Sequence, residues 1–318
     1  MGMPLGIPAV VHPRWIRQGG TCLTRSIEGP PMHYRRRSTM TRADGQSTAM
    51  HWSTVRVDAQ AEMCAVLGRG SPVVFVPGWG LTPWIYRHAL ARLARSCRVY
   101  APAIPGFSGV PDRPLDERTV ADCAAWLGRF LDAAGLGPVT LVGHSFGGAL
   151  AVRAADDLPD RIARLVLVNP VGAEGWPDVE SAVPPLGDGP LWERGAAALG
   201  DALALRMLAP ATPPRRTATI GHDVGAPGRV GRTDLIAAGG GLTGELNRLA
   251  QRRLPVALMW SRGDRLISRA SVESLRACLG GPPVFTVAGG HGWPITDPEC
   301  FGHTMRTVLE WIPTEVAS

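Results

Sequence analysis

The chain has 318 residues, with 33 basic and 27 acidic side chains and a formal net charge of +6. Apolar residues make up 45% and charged residues 19%, a composition that is ordinary for a globular protein and excludes a wholly disordered one. No apolar run reaches the roughly 18 residues of a transmembrane helix, so we expect no membrane span.

The positive charge is concentrated in the first 50 residues. This tail carries seven arginines against Glu28 and Asp44, so it holds +5 of the net charge and leaves about +1 for the other 268 residues. It shows neither helical nor alternating periodicity, and we predict that residues 1–50 are mostly disordered. Because the rest of the chain is nearly neutral, we expect no binding of nucleic acid.

From residue 51 onward, short apolar runs alternate with helical patterns. The run 72–76 is continuously apolar and ends at Pro-Gly, as expected for a strand buried on both faces of a parallel sheet. Segment 116–134 has apolar residues at helical spacing and is followed by Gly135. The other predicted strands are 98–101, 139–142, 164–169, 255–260 and 284–287, and the other predicted helices are 83–95, 146–157, 270–279 and 298–311. This alternation predicts a doubly wound, mostly parallel α/β sheet.

One interval interrupts this alternation. Between residues 171 and 253 the sequence contains two helix-like pieces, 191–208 and 233–252, and no convincing strand. A structureless loop of about eighty residues is improbable in a compact domain. We therefore predict that residues 173–253 form a helical cap, and that the core consists of residues 51–172 and 254–318.

The sequence Gly-His-Ser-Phe-Gly at residues 143–147 lies between a predicted buried strand and an alanine-rich helix. It matches the pattern G-x-S-x-G, in which a strained turn from strand to helix exposes the serine hydroxyl. Such a turn needs small residues on either side, here Gly143 and Gly147. The start of the helix also offers N–H groups to a developing oxyanion. The motif therefore indicates Ser145 as a nucleophile.

A serine hydroxyl is a weak nucleophile at neutral pH and needs a base that is oriented by an acid. Asp264 follows the predicted strand 255–260, and His291 follows the predicted strand 284–287. Loops at the carboxyl ends of strands are where the active sites of open α/β sheets form. The chain order serine, aspartate, histidine is the one associated with a nucleophile elbow.

With these residues in this order, the sequence resembles the α/β-hydrolase fold superfamily, in particular its esterase-like serine hydrolases that carry a lid. The resemblance implies that Ser145 is the nucleophile and that His291 acts first as general base and then as general acid. It implies that Asp264 orients His291 and stabilises its imidazolium form. It also implies an oxyanion hole made by the backbone N–H groups of Trp79 and Phe146.

The resemblance covers about residues 54–314 and weakens in the predicted cap. Pro77 stands where relatives usually have a histidine, although the N–H of the oxyanion loop is retained. Ala103 and Ser108 replace an aspartate and a glycine that relatives typically carry, so we expect an altered loop and no loss of chemistry. His144, beside the nucleophile, is predicted to have a packing role because it points away from the serine at such an elbow.

Several tryptophans fall in loops or cap segments near the expected site and are candidates for a substrate pocket. They are Trp84, Trp176, Trp192 and Trp293, in addition to the tryptophan of the oxyanion loop. They favour a small-molecule substrate with an apolar portion. We expect neither a metal nor a cofactor, because the histidines and cysteines lack the spacing of metal ligands. The scattered cysteines indicate a reducing compartment, which predicts a cytoplasmic protein.

The leading functional hypothesis is a serine hydrolase that cleaves an ester or thioester through an acyl-enzyme intermediate. The same three residues would also serve an acyltransferase, a perhydrolase or an enzyme that hydrolyses a carbon–carbon bond, and the sequence leaves these alternatives open. A ligand-binding protein without catalytic activity is disfavoured because all three catalytic positions are intact. A haloalkane dehalogenase or epoxide hydrolase would need a carboxylate in place of Ser145.

Overall fold

A computed structural model describes residues 48–78, 81–105, 119–172 and 241–313, together with the backbone of residues 14–18 and 21–25. Predictions for residues 173–240, including the helix-like piece 191–208 and most of the cap, lie outside the described residues.

Two short strands lie within the N-terminal tail. Strands β1 (Arg14–Gln18) and β2 (Thr21–Arg25) pair antiparallel, with Gln18 opposite Thr21. The sequence prediction of a tail without periodicity did not include this hairpin, because five-residue strands give little alternation to detect.

Eight further strands form one sheet, with the order β10-β9-β8-β7-β5-β6-β4-β3 across it. They are β3 (His51–Val57), β4 (Gln60–Gly68), β5 (Pro72–Val76), β6 (Arg98–Pro102), β7 (Val139–His144), β8 (Ile162–Val168), β9 (Val256–Ser261) and β10 (Val284–Val287). Strand β4 runs antiparallel to both β3 and β6, and the other neighbouring pairs are parallel. The predicted mostly parallel α/β sheet is therefore confirmed.

The helices of the described residues pack on both faces of this sheet. They are α1 (Arg87–Leu93), α2 (Val120–Ala133), α3 (Phe146–Asp157), α4 (Thr243–Gln251), α5 (Arg269–Cys278), α6 (Trp293–Thr296) and α7 (Pro298–Trp311). One apolar cluster contains side chains of α2, α3, α4 and α5, and the other contains side chains of α1, α6 and α7. Strand β5 contributes Val74 to the first cluster and Phe75 to the second, because successive side chains of a strand point to opposite faces.

Helix α4 packs with the core. Its Leu246 and Leu249 are buried in the same apolar cluster as α3. On its outer side, Nε and Nη2 of Arg248 donate hydrogen bonds of 2.6–3.1 Å to the carboxylate of Asp156 on α3. The predicted cap, 173–253, includes this segment, because its amphipathic pattern alone does not indicate which layer it joins. We assign it to the core.

The described residues contain no helix that has both the length and the apolar character needed to cross a membrane.

Candidate active site

The turn between β7 and α3 consists of a single residue, Ser145, with φ 55° and ψ −123°. A non-glycine residue in this region of φ/ψ space costs on the order of 1–3 kcal/mol and persists only where its surroundings hold it. Here the N–H of Ser145 donates to the carbonyl of Val168 at 3.0 Å. Its own carbonyl accepts from the N–H groups of Gly148 at 2.8 Å and Val171 at 3.2 Å. The strained turn is therefore fixed by β8 and by the first turn of α3.

The two glycines that flank this turn leave no room for a side chain. A Cβ atom on Gly143 would lie 2.2 Å from the carbonyl oxygen of Gly147. A Cβ atom on Gly147 would lie 2.4 Å from the carbonyl oxygen of Val76 on the neighbouring strand. The requirement for small residues in the motif thus has a direct steric basis, since α3 starts against the ends of β5 and β7.

The structure brings Ser145, His291 and Asp264 together from three separate loops. Nε2 of His291 lies 2.8 Å from Oγ of Ser145, and Nδ1 lies 2.9 Å from Oδ2 of Asp264. The Asp264 side chain is completely buried, whereas that of His291 keeps 14% of its surface exposed. This arrangement can pass the serine proton to the imidazole and stabilise the resulting positive charge with a buried carboxylate.

The surroundings of Asp264 keep it ionised. Burial on its own raises the pKa of this carboxyl, but the hydrogen bond and charge of His291 lower it, and so do the amides of Ile267 and Leu266. The net effect places the pKa of Asp264 below its ordinary value. Both amides donate to Oδ1, at 2.8 Å from Leu266 and 2.9 Å from Ile267. Oδ2 is thereby left for the imidazole and one further donor.

That further donor is Asn169, which the sequence analysis did not identify. Its Nδ2 donates to Oδ2 of Asp264 and, at 2.8 Å, to Oγ of Ser261. Its Oδ1 accepts from the N–H of Ser261 and from Nε1 of Trp293, both at 3.2 Å. Asn169 is fully buried and therefore fixes the orientation of the Asp264 carboxylate. A polar residue directly after a buried strand, with a proline next in sequence, was the signal available.

His144 is buried beside the site and makes two polar contacts. Its Nδ1 lies 2.7 Å from the Tyr86 hydroxyl, and its Nε2 lies 3.0 Å from the carbonyl oxygen of His291. Burial, and next the charge of His291, lower the pKa of His144 to about 3, so it is neutral at physiological pH. Both ring nitrogens of His144 thus face groups other than Ser145, and its predicted packing role extends to fixing the backbone of His291.

Of the two residues predicted to form the oxyanion hole, one is placed by the structure. Phe146 is the first residue of α3, so its backbone N–H lies at the positive end of the helix. Trp79 lies outside the described residues. The preceding residue, Gly78, adjoins the site, because a Cβ atom there would lie 3.4 Å from Cβ of Ser145.

The predicted pocket tryptophans differ in their positions. Trp293 is 1% exposed, packs against Phe301 and donates its N–H to Asn169, so it belongs to the core and presents no surface to a substrate. Its prediction as a pocket residue is wrong, because a loop tryptophan can turn inward as readily as outward. Trp84 is half-buried under the guanidinium of Arg87 at 5.0 Å. Trp176 and Trp192 lie outside the described residues.

The fold and the site define the chain as an α/β-hydrolase. The family profile described as "Alpha/beta hydrolase family" matches residues 73–299, which is more than half of the chain. The chain belongs to this family.

Among curated proteins, the chain is similar to a 2-hydroxy-6-oxo-2,4-heptadienoate hydrolase of Pseudomonas putida, with 44% identity over 110 residues. That alignment covers 33% of this chain and 40% of the relative. A 2-hydroxymuconate semialdehyde hydrolase of a Pseudomonas species is 38% identical over 111 residues, covering 33% of this chain and 38% of the relative. The chain thus spans about 40% of the length of these curated relatives.

Solved structures match over a larger part of the chain at lower identity. A meta-cleavage product hydrolase from Pseudomonas fluorescens superimposes with a TM-score of 0.60 and 19% identity, covering 81% of this chain and 97% of that one. A thioesterase domain from the curacin biosynthetic pathway gives a TM-score of 0.59 and 18% identity, covering 81% and 99%. At these identities the two structures support the shared fold.

Proposed function

We propose that this protein is a serine hydrolase that cleaves an ester or thioester of a largely apolar small molecule through an acyl-enzyme intermediate. The observation that carries the proposal is the continuous hydrogen-bonded arrangement of Ser145, His291 and Asp264, with distances of 2.8 and 2.9 Å. These contacts form at a nucleophile elbow whose glycines have no space for a side chain.

The first half-reaction follows from this geometry. Oγ of Ser145 attacks the carbonyl carbon while Nε2 of His291 takes the hydroxyl proton, and the carbonyl oxygen becomes an oxyanion. The N–H groups of Phe146 and Trp79 would stabilise that charge. When the bond to the leaving group breaks, the imidazolium of His291 returns the proton to the departing oxygen or sulfur. The product is an acyl ester of Ser145.

The second half-reaction regenerates the serine. A water molecule donates its proton to Nε2 of His291 and attacks the acyl ester, and the proton then returns to Oγ of Ser145 as the carboxylic acid leaves. Asp264 stays ionised throughout, since its lowered pKa favours the carboxylate beside the imidazolium. The nearly neutral body of the chain is consistent with an uncharged, apolar substrate.

Hydrolysis of a carbon–carbon bond is the alternative that the comparisons favour. Two curated relatives are hydrolases named for an oxo-dienoate and a muconate semialdehyde, and both alignments cover a third of this chain. The same nucleophile, base and oxyanion hole would serve this reaction and also acyl transfer or perhydrolysis. Intact residues at all three positions argue against a protein that only binds a ligand.

The serine can be tested by replacing it. We expect Ser145→Ala to lower kcat/KM for p-nitrophenyl acetate by at least about 10³-fold, since a serine nucleophile supplies most of the rate in such sites. The variant should also lose labelling by a fluorophosphonate probe. Ser71→Ala, at an exposed turn before β5, is the matched control and should keep both. Hydrolysis by Ser145→Ala at the wild-type rate would refute the proposal.

The type of bond is tested by analysing products. Wild-type protein should release acid and alcohol or thiol from a graded set of acyl esters and thioesters, in preference to cleaving a vinylogous diketone. Preferred cleavage of the diketone would replace the ester hypothesis with carbon–carbon hydrolysis. Transfer of the acyl group to an added alcohol or to peroxide would identify the other two alternatives.

A further inference from the structure

Two side chains, those of Tyr86 and His144, connect the backbone at Gly78 with the backbone of His291. The N–H of Gly78 lies 3.1 Å from the hydroxyl oxygen of Tyr86, and that hydroxyl lies 2.7 Å from Nδ1 of His144. Nε2 of His144 lies 3.0 Å from the carbonyl oxygen of His291. Gly78 follows β5 and Tyr86 immediately precedes α1. His144 is the last residue of β7, and His291 lies in the loop after β10.

The direction of each hydrogen bond follows from the groups at its two ends. The carbonyl of His291 can only accept, so Nε2 of His144 carries the hydrogen. In a neutral imidazole the other nitrogen, Nδ1, must then accept, and Tyr86 must be its donor. The tyrosine oxygen is thereby free to accept from the N–H of Gly78. The N–H of Gly78 therefore donates to Tyr86, the hydroxyl of Tyr86 donates to Nδ1 of His144, and Nε2–H of His144 donates to the carbonyl of His291. No contact in this series places two hydrogens between the same pair of atoms.

We propose that Tyr86 and His144 are positioning residues that hold the oxyanion loop at Gly78 and the backbone of His291 in a fixed relation to each other. The inference rests on the proposed function, since it assigns these residues to the geometry of the same reaction. The polar atoms of both side chains bond to each other and to the backbone of Gly78 and His291, so the two residues act through their neighbours.

Burial and packing support a rigid connection. Tyr86 is 0% exposed and His144 is 2% exposed. The Tyr86 ring lies 4.9 Å from that of Phe75 and 5.6 Å from that of His144, which leaves its hydroxyl little freedom. The ring of His144 lies 5.1 Å from that of His291. Its lowered pKa keeps His144 neutral, which preserves the donor and acceptor assignment across the physiological range.

Two substitutions remove the hydrogen bond between Tyr86 and His144, one by changing its donor and the other by changing its acceptor. Tyr86→Phe keeps the packed ring and removes the hydroxyl, so Gly78 loses its acceptor and His144 loses its donor. His144→Gln retains an amide N–H that can replace Nε2–H toward the His291 carbonyl, but it has no acceptor at the position of Nδ1. Tyr100→Phe, on strand β6 of the same sheet, is the matched control for loss of a tyrosine hydroxyl.

The readout separates positioning from folding. The fraction of protein that the fluorophosphonate probe has labelled when the reaction is complete gives the fraction of folded, reactive active sites. Dividing the rate of ester hydrolysis by the concentration of these sites gives kcat per site, which misfolded protein does not affect. We expect Tyr86→Phe to lower kcat per site and the labelling rate by about tenfold, because small displacements of reacting groups are costly. KM should stay within about twofold. The Tyr100→Phe control should match the wild type in all three quantities.

The double variant tests whether the two residues form one connection. If they do, Tyr86→Phe/His144→Gln should lose about as much kcat as the more affected single variant, whereas independent residues give losses that multiply. Should Tyr86→Phe fail to show a native melting transition, His144→Gln carries the test with the same expected tenfold loss.

The outcomes distinguish this inference from the proposed function. Wild-type kcat per site in both single variants, with at most a lower melting temperature, would overturn the inference and leave the proposed function intact. Multiplicative losses in the double variant would also overturn it. Failure of the wild-type protein to react with the probe at Ser145, with ester hydrolysis retained in Ser145→Ala, would instead reject the proposed function itself.

Discussion

Two non-glycine residues of the site adopt positive φ angles. Ser145 has φ 55° and Asn169 has φ 42°. Each is held by hydrogen bonds from a neighbouring strand: Ser145 by the carbonyl of Val168, and Asn169 by that of Met259 at 2.8 Å. A strained backbone conformation of this kind persists only where surrounding contacts hold it in place. It places the Ser145 hydroxyl toward His291 and the Asn169 amide toward Asp264.

The steric demand at Gly147 predicts the effect of a single methyl group. Gly147→Ala would bring Cβ within 2.4 Å of the Val76 carbonyl oxygen and 2.5 Å of the Pro77 carbonyl oxygen, which are backbone atoms that cannot rotate away. We expect a loss of about 1–3 kcal/mol in the free energy of unfolding, measured in urea, from overpacking. Gly244→Ala, in the first turn of α4, is the control and should be neutral or slightly stabilising. Equal unfolding midpoints for Gly147→Ala and wild type would contradict this account.

At the scale of elements, buried strands and helices are predicted from the sequence more accurately than exposed ones. Strands β5 and β10 and helices α3 and α7 were predicted with their observed limits, because buried strands and amphipathic helices have clear apolar patterns. Strands β3 and β4 were not predicted. Most residues of β3 are exposed, so an antiparallel strand at the sheet edge lacks that pattern.

The candidate site shows the same limit. Ser145, Asp264 and His291 were recognisable because each is a reactive residue type shortly after a predicted strand. Their order in the chain also matches that of a nucleophile-elbow triad. Asn169 and Tyr86 were not, since their roles depend on contacts with residues 95 and 58 positions away in the chain. A buried asparagine or tyrosine has no local signal that tells a core residue from one that orients a reacting group.

The assignment of α4 to the core predicts a large effect of a small truncation. Leu249 is 0% exposed within the cluster that includes α3, so Leu249→Ala should leave a cavity and cost about 2–5 kcal/mol. Chemical denaturation monitored by tryptophan fluorescence would measure this loss. Leu266→Ala, at a side chain that is 56% exposed, should change stability by less than about 0.5 kcal/mol. A comparably small effect at Leu249 would place α4 outside the core.

At the scale of the whole molecule, the parallel sheet assembles the site. Residues separated by more than two hundred positions, from Gly78 to His291, meet because strands β5, β7, β8, β9 and β10 all end on the same edge. The site is therefore as stable as the sheet that carries it. Titratable groups buried in the site consequently make the stability of the entire fold depend on pH.

His144 contributes to that dependence as the pH falls below about 6.5. Its folded pKa of about 3 lies below the ordinary value of 6.5, because burial and then the charge of His291 oppose its protonation. A depressed pKa gives stability that is complete above about pH 6.5 and is lost as the pH falls toward 3. The unfolding free energy should therefore decrease by up to about 1.4 kcal/mol per pH unit in that window. The lowered pKa of Asp264 acts in the same sense but below its ordinary value of 3.8.

Comparison of variants isolates the contribution of His144. Because His144→Gln removes the titrating group, its unfolding free energy should fall by about 2–3 kcal/mol less than that of the wild type between pH 6.5 and 4.5. Urea denaturation at several pH values would measure both curves. Parallel curves for His144→Gln and wild type would mean that His144 is protonated in the folded protein, which would also reverse the hydrogen-bond assignment between His144 and Tyr86.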